Sequence, residues 1–304
     1  MKRETFTVDA ALLRELGELG AMGCHNLDPE QIRKGAAAIR EGTNKPFALN
    51  FLIFSAEEEG FAAALEERPP HMAFAWPRPE QDIKSYVARA HDAGCKVTFM
   101  AGGVPEAVWA AEAGADVIVA QGTEGGGHVS WMTSLTLVPM VVDAVAPVPV
   151  LAAGGFVDGR GLAAALALGA EGILLGTRFL ASDESPLHDN FKQAIVDSDG
   201  HDTLLTEIPD IAAGTVWPGA MSRARHNRFI ERWAGREWAL RQHQAEAFAG
   251  IVAARKAGDA EEAPLTMGQD AGLIGEILPA GEIVRRIAEE AEAILAKRLP
   301  ELVA

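Results

Sequence analysis

Short apolar runs alternate with amphipathic stretches at a nearly constant period through the first two thirds of the chain. No other feature restricts the fold as tightly. The extended candidates, rich in Val, Ile, Phe or Ala, are residues 47–53, 71–76, 96–101, 116–121, 149–154 and 172–176, with a weaker one at 21–25. Helical patterns lie between them at 28–41, 56–67, 80–93, 105–113, 135–146 and 159–168. Asp28 (before Pro29) and Asp158 read as N-caps, and Gly94, Gly114 and Gly169 as stop signals.

Strand, helix, strand repeated this often implies right-handed crossovers and a parallel sheet buried on both faces. The repetition fits a closed (β/α)8 TIM barrel better than an open sheet. An open doubly wound fold calls for a glycine fingerprint after its first strand and an acidic residue about 20 positions later. The N-terminal region has neither, and the glycines cluster late, where a barrel builds its phosphate site in the loops after strands 7 and 8. Counting back from residues 172–176 as strand 8 makes 21–25 strand 2 and leaves strand 1 to residues 4–8, a short and polar segment. The expectation is therefore a barrel with a degenerate or shortened first strand over residues 1–198. Beyond it the rhythm stops, and helical patterns at 226–255 and 282–297 suggest a helical extension, residues 199–304, packed on the barrel.

Composition narrows the partners. With 48% apolar and 23% charged residues the chain is an ordinary globular protein. Its 27 Lys and Arg against 43 Asp and Glu give a net charge of −16, which repels phosphate backbones and anionic lipid, and no local basic patch offsets it. Neither nucleic acid nor a membrane is expected as a partner. Two cysteines, Cys24 and Cys95, form no disulfide framework and lie in no metal-ligand spacing. No apolar run approaches the roughly 18 residues of a membrane span, and no signal segment is visible, so a cytoplasmic protein is expected.

Active sites in this architecture sit at the C-terminal ends of the strands. Those ends carry Asn50, Gln121, the pair Gly154–Gly155, and Gly176 followed by Thr177. Glycines there let backbone N–H groups close on a phosphate, although tight turns produce the same pattern. Asn50 and Gln121 are amides on apolar strands; each can both donate and accept toward a heteroaromatic ring, or can bond neighbouring backbone. Among eight histidines, His128 stands apart because it follows three glycines at the mouth of strand 6. An imidazole there can accept a proton or donate to developing charge. His25, at the end of the weak strand, is a second and lesser candidate.

These residues carry a resemblance. The stretch beginning QGTEGGGHVS at Gln121, with PVPVLAAGGFVDGRGLAAALALGAEGILLGTRFL after it, resembles the nitronate monooxygenases, formerly called 2-nitropropane dioxygenases, which are FMN-dependent TIM barrels. The likeness continues through KPFALNFLIF upstream, and FKQAIVDS, HNRFIERWAGRE and MGQDAGLIGEILPAGEIV downstream. It implies that Asn50 and Gln121 contact the flavin ring, that Gly126 lies against the cofactor, and that Gly154, Gly155, Gly176 and Thr177 bind the FMN phosphate. It makes His128 the catalytic histidine and Met267, Gly268, Gln269 and Gly272 a loop folded back over the cofactor. Two departures stand out: KRETFTV replaces the apolar first strand ending in Ala-Pro-Met, and Ser130 and Trp131 follow the histidine where many members carry a nearby glycine.

The implied reaction is oxidation of an alkyl nitronate by O2 to a carbonyl compound and nitrite. Two alternatives remain: an NAD(P)H-dependent flavin reductase acting on an enoyl thioester or quinone, and a non-catalytic barrel. A homo-oligomer is compatible with either enzyme.

Overall fold

The computed structural model describes residues 19–299 and 301 of the 304-residue chain. Seven parallel strands form one sheet: β1 (Gly20–Gly23), β2 (Phe47–Leu52), β3 (His71–Ala75), β4 (Lys96–Ala101), β5 (Val117–Gln121), β7 (Val150–Ala153) and β8 (Gly172–Leu174). They pair in chain order, β5 joining β7 directly, in a sheet curled into a half-barrel. β6 (Gly127–Val129) leaves this sheet and pairs antiparallel with β10 (Met221–Arg225), which in turn pairs with β9 (Thr203–Thr206).

The crossover helices are α1 (Pro29–Gly42), α2 (Glu58–Glu66), α3 (Ile83–Asp92), α4 (Val104–Glu112), α5 (Ser134–Val145) and α6 (Gly159–Ala167). Their starts follow local chemistry. The Asp28 carboxylate accepts from Gln31 N while the Gln31 side chain accepts from Asp28 N, a reciprocal capping box with Pro29 in the first turn. Asp158 likewise accepts from Arg160 N and Gly161 N at the head of α6. Gly94, Gly114 and Gly169 turn the chain with positive φ just after α3, α4 and α6.

The main core packs strand residues such as Leu49, Met72, Phe74, Phe99 and Ile118 with helix residues Ile32, Ile39, Phe61, Ile83, Val87 and Leu137. Rings add directional contacts: Phe61 meets Phe51 edge-on at 5.5 Å and Tyr86 at 5.0 Å.

Three expectations need correction or limitation. The weak strand begins and ends a residue or two early, at Gly20–Gly23, leaving His25 in the following turn. The strand expected over 4–8 lies outside the described residues. Residues 199–304 are not helical throughout: β9 and β10 stand there beside α9 (Ile208–Ala213), α10 (Arg228–Trp233), α11 (Glu237–Gln242), α12 (Gln244–Ala257) and α13 (Ala280–Ala293), after α7 (Thr177–Leu180) and α8 (Asp189–Val196). The helix expected over 226–255 is broken at Gly235, whose φ is +73°, and at His243. Two further clusters form beyond β8, one joining α8 to residues 263–274 and one joining α9 to α12.

Candidate active site

Gln121 is the last residue of β5 and only 9% exposed. Its Oε1 is buried without a hydrogen-bond partner among the described residues. Such an atom costs about 1–3 kcal/mol unless a ligand supplies the missing donor. The chain then enters the loop 122–126. Gly122 N donates to Ala153 O, and Gly154, with φ +87°, lies so close that a Cβ there would fall 2.5 Å from Gly122 O. Gly155 packs on the Glu124 side chain in the same way.

A loop from residues 267–272 closes over this group. A Cβ on Gly126 would lie 2.5 Å from Gly268 N, so only glycine permits the approach. Gln269 N donates to Glu124 O at 2.9 Å, and Gly268 N donates to the Thr177 hydroxyl at 3.0 Å. Gly272 abuts Asp199 O, anchoring the loop's far end. Gln121, Gly126, Gly154, Gly155, Thr177 and the 267–272 loop thus belong to one contiguous cluster. Gly176 adjoins it and faces open space, with nothing within 4 Å of a Cβ position. Asn50 stands apart: it lies inside β2, two residues short of the strand end, separated from β5 by β3 and β4.

Charged groups buried around the cluster deviate from their ordinary state. Asp270, 6% exposed, is pushed up to about 6 by burial, against a hydrogen bond from Thr177 that lowers it. Its Oδ1 has no partner among the described residues. Burial lowers the affinity of the Arg223 guanidinium for its proton; Arg223 donates to Thr123 O at 2.8 Å and so pins the loop from β10.

His128 is held from two directions. Its Nε2 lies 3.0 Å from both Oδ1 and Oδ2 of Asp210, a pair with side chains only 15% and 12% exposed. Its ring stacks on Trp217, centroids 3.3 Å apart and planes 10° from parallel. Trp217 in turn contacts Phe54 at 4.8 Å and Trp76 at 6.1 Å. Antiparallel pairing of β6 with β10 sets His128 opposite Ser222. The lesser candidate, His25, bonds to Ser55 and Asn26 instead. Asp210, Trp217 and Trp76 were not legible as site residues in the sequence. Asp210 lies 82 positions from His128, and only the distant β6–β10 pairing brings them together.

The nitronate monooxygenase family model matches residues 61–290. The chain belongs to that family. Membership makes it a flavin oxidoreductase and sets aside a non-catalytic barrel. A protein of Staphylococcus aureus (strain MSSA476) named "Probable nitronate monooxygenase" is 29% identical, with 92% of this chain and 89% of that protein covered. Among solved structures, FabK from Thermotoga maritima is 32% identical with a TM-score of 0.86, covering 99% of this chain and 94% of that one. A nitroalkane oxidase from Streptomyces ansochromogenes is 26% identical with a TM-score of 0.82, covering 97% and 96%. Among the described residues no helix is long and apolar enough to cross a membrane, and no group of His, Cys, Asp and Glu could hold a metal ion.

Proposed function

We propose that the protein uses FMN to oxidise alkyl nitronates with O2, giving a carbonyl compound and nitrite. The observation that carries this reading is the His128–Asp210 pair beside the glycine-lined cluster. A carboxylate that accepts from Nε2–H fixes the tautomer, leaves Nδ1 as the bare nitrogen and stabilises the imidazolium once a proton arrives. His128 is then the catalytic residue that takes the α-proton of a neutral nitroalkane at Nδ1 or, as the imidazolium, donates from Nδ1–H to the nitro oxygens of a nitronate. Asp210 is its positioning residue.

The residues present fit the cofactor. The partnerless Gln121 Oε1 suits a donor on the flavin ring; Asn50, which stands outside that cluster, is a second ring contact by the family resemblance alone. Backbone N–H groups of Gly154, Gly155, Gly176 and Thr177 would hold a single phosphate; the Thr177 hydroxyl is committed to Gly268 N. Gly126, Met267, Gly268, Gln269 and Gly272 would keep the loop closed over it and water out. Electron transfer from the nitronate and the reaction with oxygen belong to the flavin. We place the domain division at 198/199 and read the half-barrel as part of a (β/α)8 barrel.

A second reading, an NAD(P)H-dependent flavin reductase, is favoured by the likeness to FabK, whose identity and TM-score both exceed those of the nitroalkane oxidase. Purified protein given nitronate in air decides between them: nitrite release with O2 consumption supports the first reading, and with a neutral nitroalkane, where His128 is the base, His128→Ala should lower it on the order of 10²-fold or more. Rapid NADH oxidation with no nitrite formed supports the second.

A further inference from the structure

One stretch of twelve residues, 208–219, holds His128 twice. Asp210 on α9 takes the edge of the imidazole, and Trp217 on the following loop covers one face. The loop begins at Gly214 and ends at Gly219, both with positive φ. Thr215 N donates to Asp210 O, and Arg78 Nη2 reaches Val216 O at 3.3 Å. The neighbouring Val216 is 74% exposed. Beyond His128 the indole contacts Phe54 and Trp76 and belongs to an apolar cluster with Leu52, Ala75 and Met100 from the ends of β2, β3 and β4 and Ala220 beside β10. The indole therefore fills the span between the proposed catalytic histidine and the aromatic wall across the mouth.

We propose that Trp217 is a specificity-determining residue: its indole caps His128 and sets the length of substrate tail that the mouth accepts. The argument is steric. A partner of Nδ1 meets it in the plane of the imidazole, and the larger indole lies parallel to that plane with centroids 3.3 Å apart, so the tail of that partner runs along the indole. Long tails must push the indole off both His128 and Phe54, giving up one stacked and one tilted aromatic contact. The residues clustered with the indole are apolar, with Arg78 over the Phe54 ring at their edge, so the tail that fits there is an uncharged alkyl group.

The inference rests on the nitronate reading for its substrates, and a binding arm separates the two. The first arm measures kcat/KM for straight-chain nitronates of two to six carbons with the wild type, Trp217→Phe and Trp217→Ala. The wild type should lose about tenfold or more along the series, the scale on which a poorly fitting methylene discriminates. Trp217→Ala should flatten or reverse the trend, and Trp217→Phe should fall between. The second arm titrates holoenzyme with acetate through hexanoate, carboxylates that share the shape and charge of a nitronate head and do not react. Binding is read as the change in flavin absorbance of the holoenzyme, a signal that wild type, Trp217→Phe and Trp217→Ala all carry. Weakening with chain length in wild type, relieved in Trp217→Ala, supports the cap even if no nitronate is turned over; that pairing of results would sink the nitronate reading alone. Identical chain-length dependence in wild type and Trp217→Ala overturns the proposal.

Discussion

Replacing Asp210 by Asn keeps the shape of the group beside His128 and removes its charge. Both carboxylate oxygens now stand 3.0 Å from Nε2. In one rotamer the new amide N–H donates to Nε2, which drives the ring proton to Nδ1 and abolishes the bare nitrogen. In the other, the amide oxygen still accepts from Nε2–H, but the imidazolium loses its counter-charge. A hydrogen bond to a charged group is worth about 1.5–3 kcal/mol, which is about 10–150-fold in rate if it is made only in the transition state. Loss of the base adds to this, within the range of about 10²–10⁴-fold for general base catalysis. The two substrate forms separate these terms. A neutral nitroalkane needs its α-proton removed, so Asp210→Asn should lose at least about 10²-fold in kcat/KM. A preformed nitronate needs only a donor, which Nδ1–H can still supply, so the loss should stay near tenfold or below. Steady-state O2 consumption with each form, at a pH where the nitroalkane stays neutral, reads both numbers. A variant with normal flavin content that lost the same factor on both forms, or lost nothing, would refute the reasoning.

Other perturbations follow from the same contacts. Gln121→Leu should weaken flavin binding by about tenfold or more, yet stabilise the flavin-free protein by roughly 1 kcal/mol because the buried orphan acceptor is gone; equilibrium dialysis and urea melts report the two effects. Gly126→Ala must displace the Met267–Gly268 backbone, at a cost of about 1–3 kcal/mol and with faster loss of flavin on dilution. Asp270 titrates at about 6 when folded, above its ordinary 3.8. Its neutral form therefore contributes stability that is complete below pH 3.8 and lost as pH rises through about 6. Asp270→Asn should raise the melting temperature of the flavin-free protein at pH 8, by up to about 3 kcal/mol in stability, and leave it unchanged at pH 4. His71 and Asp116 run the other way. Burial depresses the His71 pKa, while hydrogen bonds from Lys96, Val97 N and His91 bring Asp116 below its ordinary value despite the opposing effect of burial. Their contributions are present above about 6.5 and 3.8 respectively and fade as pH falls, so His71→Phe should shrink the acid loss of stability between pH 7 and 5.

What the sequence showed and what it hid divide along contact distance. β2, β3, β4, β5, β7 and β8 were legible because each is a short apolar run with its own helix beside it, and Asp28 and Asp158 announced their helices through chemistry three residues long. The β6–β10–β9 sheet was not legible. β6 is only Gly-His-Val, its glycines read as loop, and its partner Ser222 lies nearly a hundred residues away. The same distance hid Asp210 and Trp217, whose meaning exists only once β6 and β10 pair. His128 and the glycines at strand ends were visible as residues of unusual setting, and the fold shows Gly126, Gly154 and Thr177 meeting in one cluster. Asn50 showed the limit of counting: the apolar run around it gave the strand, not the register that places it two residues inside.

The most direct test of nitronate oxidation on a bound flavin is the cofactor's own absorbance without oxygen. Purified protein should show a band at roughly 450 nm that falls when an alkyl nitronate is mixed in anaerobically and stays when NADH is mixed in its place. A band that ignores nitronate and is bleached by NADH, or no flavin band at all, would contradict the account.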